Sequence, residues 1–275
     1  MRTRGPQWED APAVAALLVA RHTADVGLPL FRVEEVHDEW RSPDVDLSRD
    51  ALLVQIDGAL AGYAIVNRVG AFAVVAPEYE GRGVGARLLE WVERRERERE
   101  VDVHRQIRSY WRMACPLDHR APAVDPPAGV TLRPLDPAAD AKALYALDAD
   151  SFAASPDFVG ASYEMFVQEH LRANDLAPEL SLIAEDNGEI VGFLIARSWR
   201  HEASGYVDLL AVAPRHQQRG IGTALLTHGF AAFAAAGLEQ AQLGVASDNP
   251  RGLRVYEAAG MGPRFRFDVF ERPLA

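Results

Sequence analysis

Two segments of this chain repeat one pattern about 137 positions apart. Residues 74–85 and residues 211–222 each run from an apolar strand through a proline and a polar turn into a Gly-x-Gly pair, and a helical pattern follows. Self-similarity at a fixed spacing indicates a duplicated structural unit. We therefore predict an internal duplication, with two related units that each combine strands and helices.

A proline-rich stretch separates the two repeats. Residues 116–129 are rich in proline and charge and have no amphipathic period, which is typical of a linker. We predict an N-terminal unit over residues 1–115, this linker, and a C-terminal unit over residues 130–275. The length of 275 residues also fits two domains better than one.

Each repeat carries a hairpin signal ahead of its glycine pair. Asp57-Gly58 and Asn187-Gly188 each lie between two apolar runs, which is the strongest short-range sign of a β-hairpin. The following strand in the second repeat, residues 206–213, is mostly apolar, so we predict that it is central in its sheet. Helical periodicity is expected over residues 12–24 and 163–172.

The charge balance narrows the classes of partner. The chain has 40 acidic and 29 basic residues, a formal net charge of −11, and both halves are acidic. Binding to a phosphate backbone requires a basic face, so nucleic acid is not an expected partner. A small substrate that carries an amine fits this charge better.

The same composition bears on location. No apolar run approaches the roughly 20 residues that span a bilayer, and no apolar segment typical of a secretory signal follows the N-terminus. The one cysteine, Cys115, cannot form an internal disulfide and fits a reducing cytosol. We expect a cytoplasmic protein with neither a membrane nor a metal partner.

The glycine pair of the second repeat has the features of an anion site. A glycine-rich turn that opens a helix leaves backbone N–H groups unpaired, and the helix dipole adds partial positive charge there. Gly220 and Gly222 leave room for a phosphate to approach the backbone, and Arg219 can add a charged contact. A Gly-x-Gly pair alone is equally compatible with a helix that packs closely on a strand.

The longer string around this pair resembles a known family. Residues 217–222, Gln-Gln-Arg-Gly-Ile-Gly, resemble the Gln/Arg-x-x-Gly-x-Gly/Ala signature of the GNAT superfamily of acyl-CoA N-acyltransferases. The resemblance implies that this loop holds the coenzyme A pyrophosphate and that the backbone of the preceding strand binds the pantetheine arm. With acetyl-CoA as cosubstrate, the implied binding residues are Leu210, Ala211, Val212, Gln217, Gln218, Arg219, Gly220, Ile221, Gly222, Thr223, Asn249 and Tyr256.

A second segment strengthens the resemblance. Asn249 followed by Pro250 is a strong helix start, and Gly260 marks its end. Asn249 and Tyr256 are two turns apart, so they lie on nearly the same face. In the family, the tyrosine of this segment protonates the departing thiolate, which assigns that role to Tyr256 by resemblance. The alternative is that Asn249 only caps the helix and Tyr256 only packs.

Attack by an amine on a thioester also needs a proton acceptor. Period-2 alternation predicts that Tyr206, Asp208, Leu210 and Val212 share one face of their strand. Many GNAT enzymes have a glutamate where this chain has Tyr206, and Asp208 is the nearest carboxylate. We predict Asp208 as a catalytic base, with a structural hydrogen bond or a substrate anchor as the alternative. Residues 201–202, His-Glu, are weaker candidates.

The first repeat departs from the pattern. It has Glu80 where the loop signature has glutamine or arginine, although Gly83 and Gly85 preserve the glycine pair. No Asn-to-Tyr helix follows. We predict that this repeat is non-catalytic and that the chain binds one acetyl-CoA.

The resemblance is strong over residues 130–272 and partial over 50–115, as in tandem GNAT proteins of the mycothiol synthase type. It implies an α/β protein of two units, each a mixed, mostly antiparallel sheet flanked by helices, with the first unit shortened. It also implies acetyl transfer from acetyl-CoA to a primary amine of a small molecule by direct attack. Cys115 belongs to no motif that would support a covalent intermediate. A non-catalytic protein that binds acyl-CoA or an amine metabolite, and a protein N-acetyltransferase, are the alternatives. The sequence leaves the acceptor and the oligomeric state open.

Overall fold

The computed structural model describes residues 1–27, 29, 31–68, 70–99, 108–153, 158 and 160–269. The described residues divide into two compact units, the first within residues 1–99 and the second within residues 108–269. None of the helices in the described ranges is long and apolar enough to cross a membrane.

The first unit is a four-stranded antiparallel sheet with helices. Its strands, in the spatial order β1-β2-β3-β4, are β1 Arg2–Arg4, β2 Ala51–Ile56, β3 Ala59–Asn67 and β4 Gly70–Val75. Its helices are α1 Ala11–Val26, α2 Val33–Trp40, α3 Leu47–Asp50 and α4 Val84–Glu98. The predicted hairpin turn at Asp57-Gly58 joins β2 to β3, and both of its residues have positive φ.

The second unit is built on a seven-stranded mixed sheet in the order β11-β5-β10-β9-β8-β7-β6. Its strands are β5 Arg108–Pro116, β6 Val130–Pro134, β7 Leu182–Asp186, β8 Glu189–Trp199, β9 Ser204–Val212, β10 Gln240–Ala246 and β11 Gly262–Val269. Its helices are α5 Ala141–Phe152, α6 Tyr163–Phe166, α7 Ile221–Ala235 and α8 Pro250–Ala258. A π-helical turn, Val167–Leu171, continues α6. The fold class predicted from the sequence is confirmed.

The boundary between the units lies nearer the N-terminus than the sequence predicts. All of strand β5 except its last residue falls within the predicted N-terminal unit of residues 1–115, yet the strand pairs antiparallel with β10 on one side and β11 on the other. Its alternate residues Met113 and Cys115 are buried in the core of the second unit. The burial of these apolar side chains explains why this strand belongs to the second sheet.

The second sheet is covered on both faces. The core on the α7 face includes Leu194, Val207 and Phe230, and the core on the α5 face includes Ile183 and Phe193. The α7 face is packed so closely that a Cβ at Gly205 would overlap the ring of Phe233 in α7. Gly205 therefore allows α7 to lie directly on β9.

The duplication extends to individual backbone angles. The turn before each glycine helix holds one residue in the left-handed region, Gly81 with φ 71° in the first unit and Gln218 with φ 63° in the second. The N-cap residues that follow, Gly83 and Gly220, have φ 79° and 91°. The helices that begin after them, α4 and α7, are both 15 residues long. The two loops therefore share one conformation.

Candidate active site of the second unit

Strands β9 and β10 separate at the end of the sheet nearest the glycine loop. They pair in parallel only from Ser204 to Val207, opposite Gln240 to Leu243. Beyond that point β9 continues beside β8 as far as Val212, and β10 continues beside β5 as far as Ala246. Within the described ranges no strand pairs with the β10-facing side of residues 208–212. An extended ligand can therefore use the backbone groups on that side, as an added strand would.

The glycine loop lies at this opening and is tied to both neighbouring elements. Gln217 donates from Nε2 to the Val212 carbonyl of β9 at 3.0 Å and accepts at Oε1 from Arg251 of α8 at 2.8 Å. Arg219 donates to Asp186 at 3.1 Å. The loop therefore connects β9 to the start of α8, and it brings the residues of these segments to one end of the sheet.

The protein's own packing explains only part of the glycine pattern. The φ of 91° at Gly220 requires glycine, yet a Cβ there would meet no atom within 4 Å. A Cβ at Gly222 would lie 3.6 Å from Val212 Cγ2, an ordinary contact, so packing does not require glycine at this position. Space beside the N-terminus of a 15-residue helix is suited to an anionic group that binds backbone N–H groups.

The loop of the first unit lacks the same surroundings. The Glu80 carboxylate pairs with Arg21, and in the described part of this unit β4 pairs only with β3. Its sheet therefore has no two diverging strands. The environment of Gly85 nonetheless matches that of Gly222, since a Cβ at Gly85 would lie 3.6 Å from Val75 Cγ2.

A β-bulge corrects the predicted alternation along β9. Val207 lies opposite Ala196 and Leu209 lies opposite Ile195, so Asp208 is an inserted residue that has no opposite residue in the backbone pairing with β8. After the bulge, Leu210 and Val212 pack against the α7-face core. The prediction that Tyr206 and Asp208 share one face with Leu210 and Val212 is therefore wrong, because the bulge shifts the alternation by one residue.

Asp208 lies in a buried network of charges. Its Oδ2 is 2.7 Å from His170 Nδ1 and accepts a hydrogen bond from Arg197 at 3.0 Å. Arg197 also donates to Asp175 at 3.2 Å. Burial alone would raise the pKa of Asp208, but Arg197 and His170 hold it well below its ordinary value. Asp208 is thus an ionised carboxylate at neutral pH, and its contacts favour the alternative of a structural hydrogen bond over the role of base.

His170 was not identified from the sequence. It belongs to the π-helical turn after α6, and such turns are frequent at functional sites. The Asp208 carboxylate beside Nδ1 favours a proton on that nitrogen, which leaves Nε2 as the acceptor. No sequence signal predicts this pairing, because the two residues are 38 positions apart and meet only through the fold.

The sequence also offered His201 and Glu202 as weaker candidates for the base, and the structure describes the side chain of Glu202 only. Glu202 accepts from Gln242 at 3.1 Å and lies 3.8 Å from Arg264, so it belongs to a polar cluster beside β10. The side chain of His201 lies outside the described residues.

The helix that carries Tyr256 begins as predicted. Asn249 caps α8 by accepting at Oδ1 from the Gly252 N–H at 2.9 Å. Burial, and secondarily Tyr206, raises the pKa of Tyr256 to about 12. The phenol is therefore protonated throughout the neutral range, as a proton donor must be.

An aromatic and cationic group lies where the two strands separate. The rings of Trp199 and Tyr206 stack with centroids 4.3 Å apart, and the Arg112 guanidinium lies 4.7 Å from the centroid of Tyr206. Arg112 is opposite Gly244 in the β5–β10 pairing, and a Cβ at Gly244 would lie 3.4 Å from the Tyr206 hydroxyl. Sequence reasoning missed Arg112, because it did not predict that residues 108–116 enter this sheet.

The thiol of Cys115 is in an environment that disfavours a nucleophile. It is fully buried, and burial raises its pKa, so the reactive thiolate form is disfavoured.

Comparisons with known proteins agree with this architecture. The model of the acetyltransferase (GNAT) family matches residues 17–110 and again 142–261. The chain is 32% identical to a mycothiol acetyltransferase of Streptomyces griseus, over 76% of this chain and 75% of that protein. It is 30% identical to a mycothiol acetyltransferase of Thermobispora bispora, over 96% of each.

Solved structures show the same two-unit fold. A GCN5-related N-acetyltransferase from Sphaerobacter thermophilus superposes with a TM-score of 0.74 at 28% identity, covering 97% of this chain and 93% of that one. A tandem GNAT protein from the clavulanic acid biosynthesis pathway has a TM-score of 0.74 at 15% identity, covering 97% and 95%. The expectation of an acyl-CoA-dependent acetyltransferase is confirmed, and the chain belongs to the acetyltransferase (GNAT) family as a two-repeat member.

Proposed function

We propose that the second unit transfers the acetyl group of acetyl-CoA to a primary amine of a small molecule. The observation that carries this proposal is the separation of β9 from β10 directly beside the glycine loop, with Tyr256 on the neighbouring helix. The relatives named mycothiol acetyltransferase support a small-molecule acceptor.

In this proposal the open side of β9 and the loop hold the cosubstrate. The backbone of Leu210 to Val212 binds the pantetheine arm, and the N–H groups at the start of α7 bind the pyrophosphate. The absence of protein atoms around a Cβ at Gly220 supports this assignment. Arg219 already pairs with Asp186, so its contribution to phosphate binding is weakened by that carboxylate.

The proton acceptor is assigned to His170 rather than to Asp208. The Asp208 carboxylate accepts a hydrogen bond from Nδ1 of the imidazole. Nε2 of the same ring takes a proton from the ammonium group of the acceptor or, through water, from the attacking amine. Asp208 acts as a positioning residue, which resembles the way carboxylates orient histidine bases in other enzymes.

The reaction is a direct displacement. The amine nitrogen forms a bond to the acetyl carbonyl carbon, the carbon–sulfur bond breaks, and Tyr256 gives its hydroxyl proton to the leaving thiolate. The products are an acetamide and free coenzyme A. Because the pKa of Tyr256 is raised to about 12, its hydroxyl carries the proton at neutral pH when the carbon–sulfur bond breaks.

The proposal is tested with the purified chain, acetyl-CoA and a panel of primary amines. We expect the release of free thiol and an equal amount of acetylated amine by mass spectrometry. If the protein binds acetyl-CoA but acetylates neither an amine of the panel nor a protein of a cell extract, the proposal is contradicted and a non-catalytic binding protein is favoured.

A further inference from the structure

Arg112 of β5 lies at the edge of the proposed site and has no counter-charge among the described residues. Its Nε and Nη1 atoms are buried and have no hydrogen-bond partner. No carboxylate of the described residues forms an ion pair with it. Other partly buried arginines of this unit behave differently, since Arg133 and Arg197 each pair with two carboxylates.

This arrangement is costly unless a ligand completes it. Taking guanidinium N–H groups out of water without a partner lowers stability, and an anion that binds them recovers the loss. The rings of Tyr206 and Trp199 lie within cation–π distance of the guanidinium, at 4.7 and 5.5 Å, and they compensate only part of its charge.

The position of Arg112 relates it to the acceptor rather than to coenzyme A. It lies opposite Gly244, the first residue of β10 beyond the paired part of β9 and β10. Its ring partner Tyr206 lies in the part of β9 that still pairs with β10, opposite Gln242. Arg112 is therefore at the paired end of the opening between the two strands. The glycine loop, by contrast, is at the far end of β9.

We propose that Arg112 binds an oxyanion of the acceptor, so that the acceptor is an amine that also carries a carboxylate or a phosphate group. The planar N–H groups of arginine match either group in a two-point contact. This inference rests on the proposed acetyl-CoA site.

The test uses thioether conjugates in which coenzyme A is joined through an acetyl group to the nitrogen of a small amine. The amine is glycine, aminomethylphosphonate or glycinamide, and the series is repeated with β-alanine, 4-aminobutyrate and their amides. All of them share the coenzyme A part and differ at the end that would meet Arg112. Calorimetry gives their affinities for the full chain.

We expect the wild-type protein to bind at least one acidic conjugate tenfold or more tightly than its amide. Arg112→Gln should bring this ratio close to one and leave the affinity for the amide unchanged, which also shows that the variant is folded. Arg112→Lys keeps the charge but not the planar donors, so it should give an intermediate ratio. Arg87→Gln is the matched control, because it removes the same charge from an exposed pair with Glu90 in the first unit.

The outcomes separate the two proposals. Equal affinity for acid and amide at every spacer, or a preference that survives in Arg112→Gln, would overturn the role of Arg112 and leave the acetyl-CoA site intact. Failure of every conjugate to bind would overturn the proposed function, and this inference with it.

Discussion

At the scale of single residues, Tyr256 and the His170–Asp208 pair have separable tasks. Tyr256→Phe removes the donated proton and keeps the ring, so turnover should fall by roughly 10²-fold, the usual scale for a lost general acid. Acetyl-CoA affinity should change little. Steady-state kinetics and calorimetry measure the two quantities, and equal losses in both would assign Tyr256 to binding instead.

The buried charges make a prediction that depends on pH. Asp208→Asn leaves Arg197 without one of its carboxylates, which should cost about 3 kcal/mol of unfolding free energy at pH 7. Because the folded pKa of Asp208 is lowered, its contribution is present above the unfolded pKa of about 4 and is lost as the pH falls below that value. Denaturant unfolding should therefore show the gap between wild type and variant closing below pH 4.

The same pair separates a base from its positioning residue. If His170 accepts the proton, His170→Gln loses most of the turnover while its affinity for acetyl-CoA changes little. Asp208→Asn keeps the imidazole and loses only its orientation, so its turnover should fall less. Steady-state kinetics that show wild-type turnover in His170→Gln would exclude His170 as the base.

At the scale of elements, the glycine loop allows a matched comparison. Valine at Gly222 would place methyl groups where the loop is proposed to meet phosphate, so acetyl-CoA affinity should fall at least tenfold, about 1.4 kcal/mol. Gly85→Val is the control, since its Cβ has the same 3.6 Å contact with a valine of the preceding strand. Calorimetry on folded variants checks both, and similar losses from the two substitutions would contradict the assignment of the loop.

Local features of these elements are predictable from the sequence, whereas features that depend on strand pairing are not. The glycine loop, the hairpin turns and the Asn249 cap depend on a few neighbouring residues, and their backbone angles follow directly from glycine and asparagine chemistry. The bulge at Asp208 depends on how β9 meets β8. Period-2 alternation contains no information about such an inserted residue.

At the scale of the whole molecule, the duplication was predictable and the assignment of β5 was not. The repeat is visible because both loops keep the same residue pattern. Residues 108–116 follow the first repeat along the chain but pair with β10 and β11, a choice made by long-range burial of Met113 and Cys115. Arg112 reaches the site only through that pairing, so a chain-order analysis places it in the wrong unit.

The central claim is that the second unit alone binds acetyl-CoA, because only its sheet has diverging strands beside the glycine loop in the described part of the chain. Native mass spectrometry over an acetyl-CoA titration up to saturation measures this most directly. We predict that the wild type and Gly85→Val bind one acetyl-CoA per chain at the same concentrations, and that Gly222→Val needs at least tenfold more acetyl-CoA to reach the same occupancy. Two equivalents on the wild type, or one whose affinity is unchanged in Gly222→Val, would contradict the claim that the second unit alone binds the cosubstrate.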